Sequence, residues 1–278
     1  MRTRIILIIL VAMVAVSAGF LCWRSIRAAR LARFKKPAAA PVAVVKKKPA
    51  FPSVPKNFSN PKVAIVMDDF GYNMNNLDEL FSIKMPVTFS ILPGLPYSTQ
   101  ISNLAYGRGY EVILHLPLES DRKDVREEFD TIKTDMREKD VRAMLEKATA
   151  SVPHARGISN HMGSKATEDE RLMTIIFKYL KQHNLYFLDS LTAHKSVCKK
   201  VAYETAVHYG RRDIFLDNSN DSKYIKKEML ELRRLAFKKG WVVAVCHDRK
   251  NTMAVLKKMM PEMAQEGIEF VSLSKLVN

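Results

Sequence analysis

From Lys62 onward the chain alternates between short runs rich in Val, Ile and Phe and longer stretches of helical period, and this pattern constrains its fold most. The apolar runs fall at 63–67, 87–92, 111–114, 186–188, 213–216, 242–246 and 269–271, with a weaker one near 156–159. Between them Val141, Met144, Leu145 and Ala148 share one helix face, as do Leu172, Ile175, Ile176, Tyr179 and Leu180. Thr167 and Glu170 are spaced as a capping box before the second of these helices. Ile225, Met229, Leu232 and Ala236 mark a third helix; Val255, Leu256, Met259 and Met263 mark a fourth, expected to bend at Pro261. Apolar strands without clean alternation are buried on both faces, as in a parallel sheet covered by helices. Seven or eight such units over residues 61–278 predict an α/β fold, a distorted (β/α) barrel. An open doubly wound sheet is the alternative. No GxGxxG follows any strand, so a dinucleotide site has no support.

In βα barrels the chemistry gathers where the strands end. Here the first run ends in Asp68-Asp69, and the third in His115, with Glu119 four residues on. The weak fourth ends in Asn160-His161, the fifth in Asp189-Ser190, the sixth in Asp217-Asn218 and the seventh in His247-Asp248. One Asp after a strand is as readily a turn former or helix cap, and that bland reading stands for Asp189 and Asp217 taken singly. Two adjacent carboxylates behind a buried strand are harder to dismiss, because burying both charges requires a cation or a proton. With histidines at other strand ends, the pattern points to a divalent metal such as zinc, with a position left open for hydrolysis.

The formal charge of +16 suggests nucleic acid until its distribution is read. Residues 1–60 carry 12 Lys and Arg and no acid, which leaves 33 basic against 29 acidic residues in the rest. The excess belongs to the N-terminal segment, so no nucleic-acid partner is expected. Arg2 and Arg4 precede an uncharged run from Ile5 to Trp23, close to the roughly 20 residues that span a bilayer. We expect residues 1–23 to be a signal anchor or signal peptide and 24–60 a basic Pro/Ala/Lys-rich linker. Six cations between Arg24 and Lys36 would favour a cytoplasmic domain by the positive-inside rule. Export with a retained membrane anchor is the reading that suits the chemistry below. No CxxC pair exists among Cys22, Cys198 and Cys246, so no zinc ribbon or thioredoxin motif is offered; Cys198 and Cys246 could pair in an oxidising compartment, but are read as free, buried thiols.

The stretches VAIVMDDFGYN, VTFSILPG, EVILHLPLE, GISNHMGSKAT, YFLDSLT, DIFLD and VVAVCHDR run in order through 62–278. Together they resemble the polysaccharide deacetylase superfamily, and its divergent polysaccharide deacetylase branch in particular. The resemblance implies a distorted βα barrel and metal-assisted hydrolysis of an N-acetyl group on an envelope glycan. It implies Asp68 as catalytic base, His247 as general acid, and Asp69 and His115 as metal ligands. The wider superfamily has a second histidine four residues after the first, where this chain has Glu119; either Glu119 or His161 would complete the metal shell. Asn160, Ser164 and Asp189 are expected to position the sugar or orient a histidine. Two other readings compete: a glycan-binding or scaffolding module without turnover, and a metal phosphoesterase with Arg211, Arg212 and Arg249 as its phosphate clamp.

Overall fold

A computed structural model describes residues 57–278, Val125 excepted. The expected membrane segment, Cys22 and most of the expected linker lie outside these residues. Among the described residues no helix is long and apolar enough to cross a membrane.

The chain forms strands β1 (Lys62–Phe70), β2 (Thr88–Ile91), β3 (Glu111–Leu118), β4 (Ala155–Met162), β5 (Tyr186–Asp189), β6 (Tyr209–Arg211), β7 (Ile214–Phe215), β8 (Trp241–His247) and β9 (Glu269–Phe270). The helices are α1 (Leu77–Phe81), α2 (Ser98–Gly107), α3 (Glu138–Ser151), α4 (Glu170–Gln182), α5 (Cys198–Thr205), α6 (Ser222–Lys239) and α7 (Lys250–Gln265). The strands pair in the order β6-β5-β4-β3-β2-β1-β8-β7, every pair parallel. β2 joins β1 only from Val66, and β9 fills the place beside Lys62 and Val63.

The two ends of this order are β6 and β7, which only two residues of chain separate. The sheet must therefore curl until its edges nearly meet, which gives the distorted α/β barrel expected from the sequence. One expectation fails at this seam. The run 213–216 is not a self-standing unit: no helix precedes β7, and β6 was hidden because Tyr209-Gly210-Arg211 carries no apolar run. Backbone bonds close the seam, from Arg212 N–H to Asp189 O (2.9 Å) and from Asp213 N–H to Val243 O (2.8 Å).

Helices α3, α4, α6 and α7 bury the faces that their periodicity marks. The cap of α4 differs from expectation. Asp169 accepts from Leu172 N–H at 2.7 Å, while Thr167 lies in a preceding 3₁₀ turn and donates to Gly163 O. Pro261 lies inside α7, which continues to Gln265.

Side chains on each strand alternate between two cores. Val63, Ile65, Met67, Val112, Leu114, Val242 and Ala244 pack outward under the helices. Ala64, Val66, Ile113, Leu188, Val243 and Val245 fill the barrel with Leu273, Leu276 and Val277 from the C-terminal segment. Inside the barrel the Tyr186 hydroxyl and Ser274 N–H donate to Glu111, so its buried carboxylate is satisfied. Cys198 and Cys246 are free and buried, as expected.

Candidate metal centre

The same alternation, continued to the strand ends, places the polar residues. Two steps on from the inward Val66, Ile113 and Val245 come Asp68, His115 and His247. Asp69 should by that rule face the helices. Two local features turn it back: its φ is 67°, and the pairing of β1 with β2 shifts register between Met67 and Phe70. Aspartate is one of the few residues with a Cβ that enter the left-handed region readily. The paired carboxylates therefore serve one site.

His161 Nδ1 lies 3.1 Å from Asp69 Oδ1 and 3.2 Å from His115 Nε2, and His115 Nε2 lies 3.4 Å from Asp69 Oδ1. Among the described residues these three form the one group spaced to hold a metal ion. A tetrahedral ion with bonds of about 2.05 Å separates its ligands by roughly 3.3 Å, so the triangle has the dimensions of one face of such a shell. Asp69 Oδ1 is buried and has no hydrogen-bond partner. A buried carboxylate oxygen without a donor is costly, and a cation removes that cost. The residues present fit a divalent metal.

Hydroxyls set the orientation of His115. Its Nδ1 is 2.8 Å from Ser159 Oγ, and Ser159 Oγ is 2.8 Å from Ser90 Oγ; both serines are fully buried. With Nε2 turned as a lone pair toward Asp69 and His161, Nδ1 carries the proton and donates to Ser159. Ser159 then donates to Ser90. Burial still lifts the Asp68 carboxyl above its ordinary range; His115 opposes this and the Asp69 charge adds to it. Burial would also lift Asp69, but the imidazoles of His115 and His161 outweigh it and hold the carboxyl well below that range. Two adjacent carboxylates are thus pushed in opposite directions.

On the other side of Asp69, His247 Nε2 stands 3.6 Å from Asp69 Oδ2. Its Nδ1 is 3.0 Å from Asp217 Oδ1, while Asp217 Oδ2 accepts from His247 N–H (2.9 Å) and from Thr252 Oγ1 (2.7 Å). Burial would lower the imidazole pKa, but Asp217 and Asp69 outweigh it and raise it. His247 therefore holds its proton to higher pH than a free histidine.

The other expected residues lie elsewhere. Glu119 is not drawn into the cluster. Its Oε2 accepts from Thr134 N–H (2.7 Å) and Oγ1 (2.6 Å), and its Oε1 from Lys165 Nζ (2.7 Å). Burial opposes the shift, but these bonds bring its pKa down to about 2. Asn160 spans two strand ends, donating to Met162 O (2.7 Å) and accepting from Ser190 N–H (2.8 Å). Ser164 contacts Ser120 and Asp121. Fully buried Asp189 accepts from Leu191 N–H, Ser196 Oγ and Tyr209 Oη. None of the three contacts a site histidine through these bonds. Arg212 Nε donates to Ser190 O (2.7 Å) and Arg249 Nη1 to Asp217 O (2.6 Å), while Arg211 is exposed.

Sequence reasoning missed Ser90, Ser159 and the partnership of Asp217 with His247. Both serines lie within the stretches VTFSILPG and GISNHMGSKAT but were given no role, although their even spacing on inward faces was a usable signal. Asp217 stood at a strand end but was indistinguishable from a turn former until its partner was known.

Comparison with known proteins bears on the family and the fold. The family model for divergent polysaccharide deacetylase matches residues 65–277. YibQ of Escherichia coli, itself uncharacterized, is 32% identical over 217 residues, which are 78% of this chain and 67% of that protein. An uncharacterized Haemophilus influenzae protein is 33% identical over 220 residues, 79% of this chain and 78% of its own length. Among solved structures, an uncharacterized Agrobacterium tumefaciens protein superposes with a TM-score of 0.74 at 22% identity, covering 80% of this chain and 91% of its own. A CE4 family pseudoenzyme from Bacillus anthracis shares the fold at a TM-score of 0.51 and 9% identity, covering 78% of this chain and 66% of that one. This chain belongs to the divergent polysaccharide deacetylase family.

Proposed function

We propose that the domain hydrolyses N-acetyl groups on an envelope glycan, using a divalent metal, with zinc the best match to the donor set. The observation that carries this reading is the triangle of Asp69 Oδ1, His115 Nε2 and His161 Nδ1, flanked by Asp68 on one side and His247 on the other. Asp69, His115 and His161 would hold the ion; Glu119, bound to Lys165 and Thr134, would not. When bound, the metal supplies Lewis-acid polarisation and lowers the pKa of water.

The chain's own groups supply the proton transfers. Asp68, with its raised pKa, accepts the proton of the attacking water as general base. His247, kept protonated by Asp217, donates to the departing amine nitrogen. The amide C–N bond breaks, a C–O bond forms, and the products are acetate and an amino sugar. Peptidoglycan N-acetylglucosamine deacetylases from Eubacterium rectale and another source share the fold at TM-scores of 0.50, which supports the substrate class. The same fold also serves a pseudoenzyme, so the fold alone does not carry activity. Asp68→Asn tests the assignment: it should retain metal and lose acetate release by a factor of about 10² to 10⁴. A variant with unchanged turnover would refute Asp68 as base.

A further inference from the structure

All strands run parallel, so the barrel has two chemically distinct ends. The carboxylates and imidazoles stand at the strand exits. The strand entrances carry the opposite charge: Lys62 opens β1, Arg156 is the second residue of β4, Lys84 precedes β2 and Lys238 precedes β8, and all four are exposed. Two large aromatic residues are exposed on this end as well, Trp241 at 42% and Phe58 at 47%. They are neighbours of the lysines by pairing and packing. Lys62 registers with Trp241, the Phe58 ring packs over Gly240, and Lys239 Nζ lies 4.8 Å from the Trp241 ring centroid. Glu269 is the acid beside Lys62, and Asp213 is already paired with Lys239.

The first described residues start here too. Asn57 N–H donates to Phe237 O (3.1 Å) and its Nδ2 to Lys238 O (3.4 Å). The preceding 56 residues, with an uncharged run from Ile5 to Trp23 and no acid, thus join the domain at its basic, aromatic end. Aromatic rings that are half wet and half apolar, set among lysines, match the chemistry of a lipid headgroup layer.

We propose that this strand-entrance end is a docking surface for an anionic phospholipid bilayer. Trp241 and Phe58 enter the headgroup region, and the lysines face lipid phosphates. The candidate site, six residues further along β1, then lies roughly 20 Å from the membrane side and opens away from it. This orientation does not depend on the deacetylase reading.

The chain has two tryptophans, Trp23 and Trp241, so Trp23→Phe in the full chain leaves Trp241 as sole reporter. The protein is combined with phosphatidylglycerol vesicles carrying brominated acyl chains, and with brominated phosphatidylcholine vesicles for comparison. The expected result is quenching of Trp241 on anionic vesicles and far less on zwitterionic ones. Adding Lys62→Glu and Lys238→Glu, both on the surface, should lower the vesicle partition constant by roughly fivefold or more per lysine reversed. The circular dichroism of each variant confirms folding. Trp241 emission that is identical with brominated and unbrominated phosphatidylglycerol overturns the proposal. So does quenching that ignores lipid charge and both lysine reversals, or protection of Trp241 by a soluble anionic polymer and not by vesicles. Acetate release is measured separately, so failure of either reading leaves the other standing.

Discussion

Replacing Ser159 with alanine is the sharpest probe of how the site is held together. The hydroxyl is fully buried, 2.8 Å from His115 Nδ1 and 2.8 Å from Ser90 Oγ. Its removal takes away the acceptor of the buried Nδ1 proton. An orphaned buried donor costs about 1–3 kcal/mol, and the loss of a hydrogen-bonded orienting group weakens metal affinity by roughly 10–100-fold. The two figures agree, since a factor of 10 is about 1.4 kcal/mol at room temperature. The small cavity left by one oxygen adds little. Metal affinity is read by competition with a chromogenic chelator, and stability by urea unfolding of the metal-free protein. Ser159→Ala with wild-type affinity and stability would show that His115 is oriented by something else, and the proposed direction of the hydroxyl chain would be wrong.

Three further outcomes follow from the same geometry. His161→Ala should lose the metal while Glu119→Gln keeps it; the reverse would put Glu119 in the shell. Glu119 is depressed to about 2, so it stabilises the fold above its unfolded pKa near 4.5, and that contribution is lost as pH falls through about 2. The acid melting of Glu119→Gln should accordingly be less steep than that of the parent chain below pH 4.5. Asp217→Asn removes the strongest group that raises the His247 pKa, so the alkaline limb of the turnover profile should move to lower pH with metal content unchanged; an unmoved limb would dissociate His247 from proton donation.

The barrel was legible because a parallel sheet buried on both faces leaves continuous apolar runs, as in Val63–Met67 and Val242–Cys246. The seam was only half legible: β7 lies within the run 213–216, whereas Tyr209-Gly210-Arg211 of β6 leaves no apolar trace. Asp68, Asp69, His115 and His247 were legible as polar residues at strand ends. Their convergence was not fully so: alternation alone sends Asp69 outward, and only the positive φ and the register shift bring it back. Glu119 shows the converse error. Spacing made it a candidate ligand, but Lys165 and Thr134, 46 and 15 residues away in the chain, claim its oxygens. Side-chain partners supplied by distant elements are the part of a site that local sequence reading does not reach.

The most direct test of the central claim is acetate release from an N-acetylated glycan by the full chain, measured metal-free, zinc-loaded and re-chelated. Turnover that appears with the metal, disappears with the chelator and is lost in Asp68→Asn is the result this structure predicts. A zinc-loaded protein that binds the glycan and releases no acetate would contradict it and make the domain a binding module on a deacetylase fold.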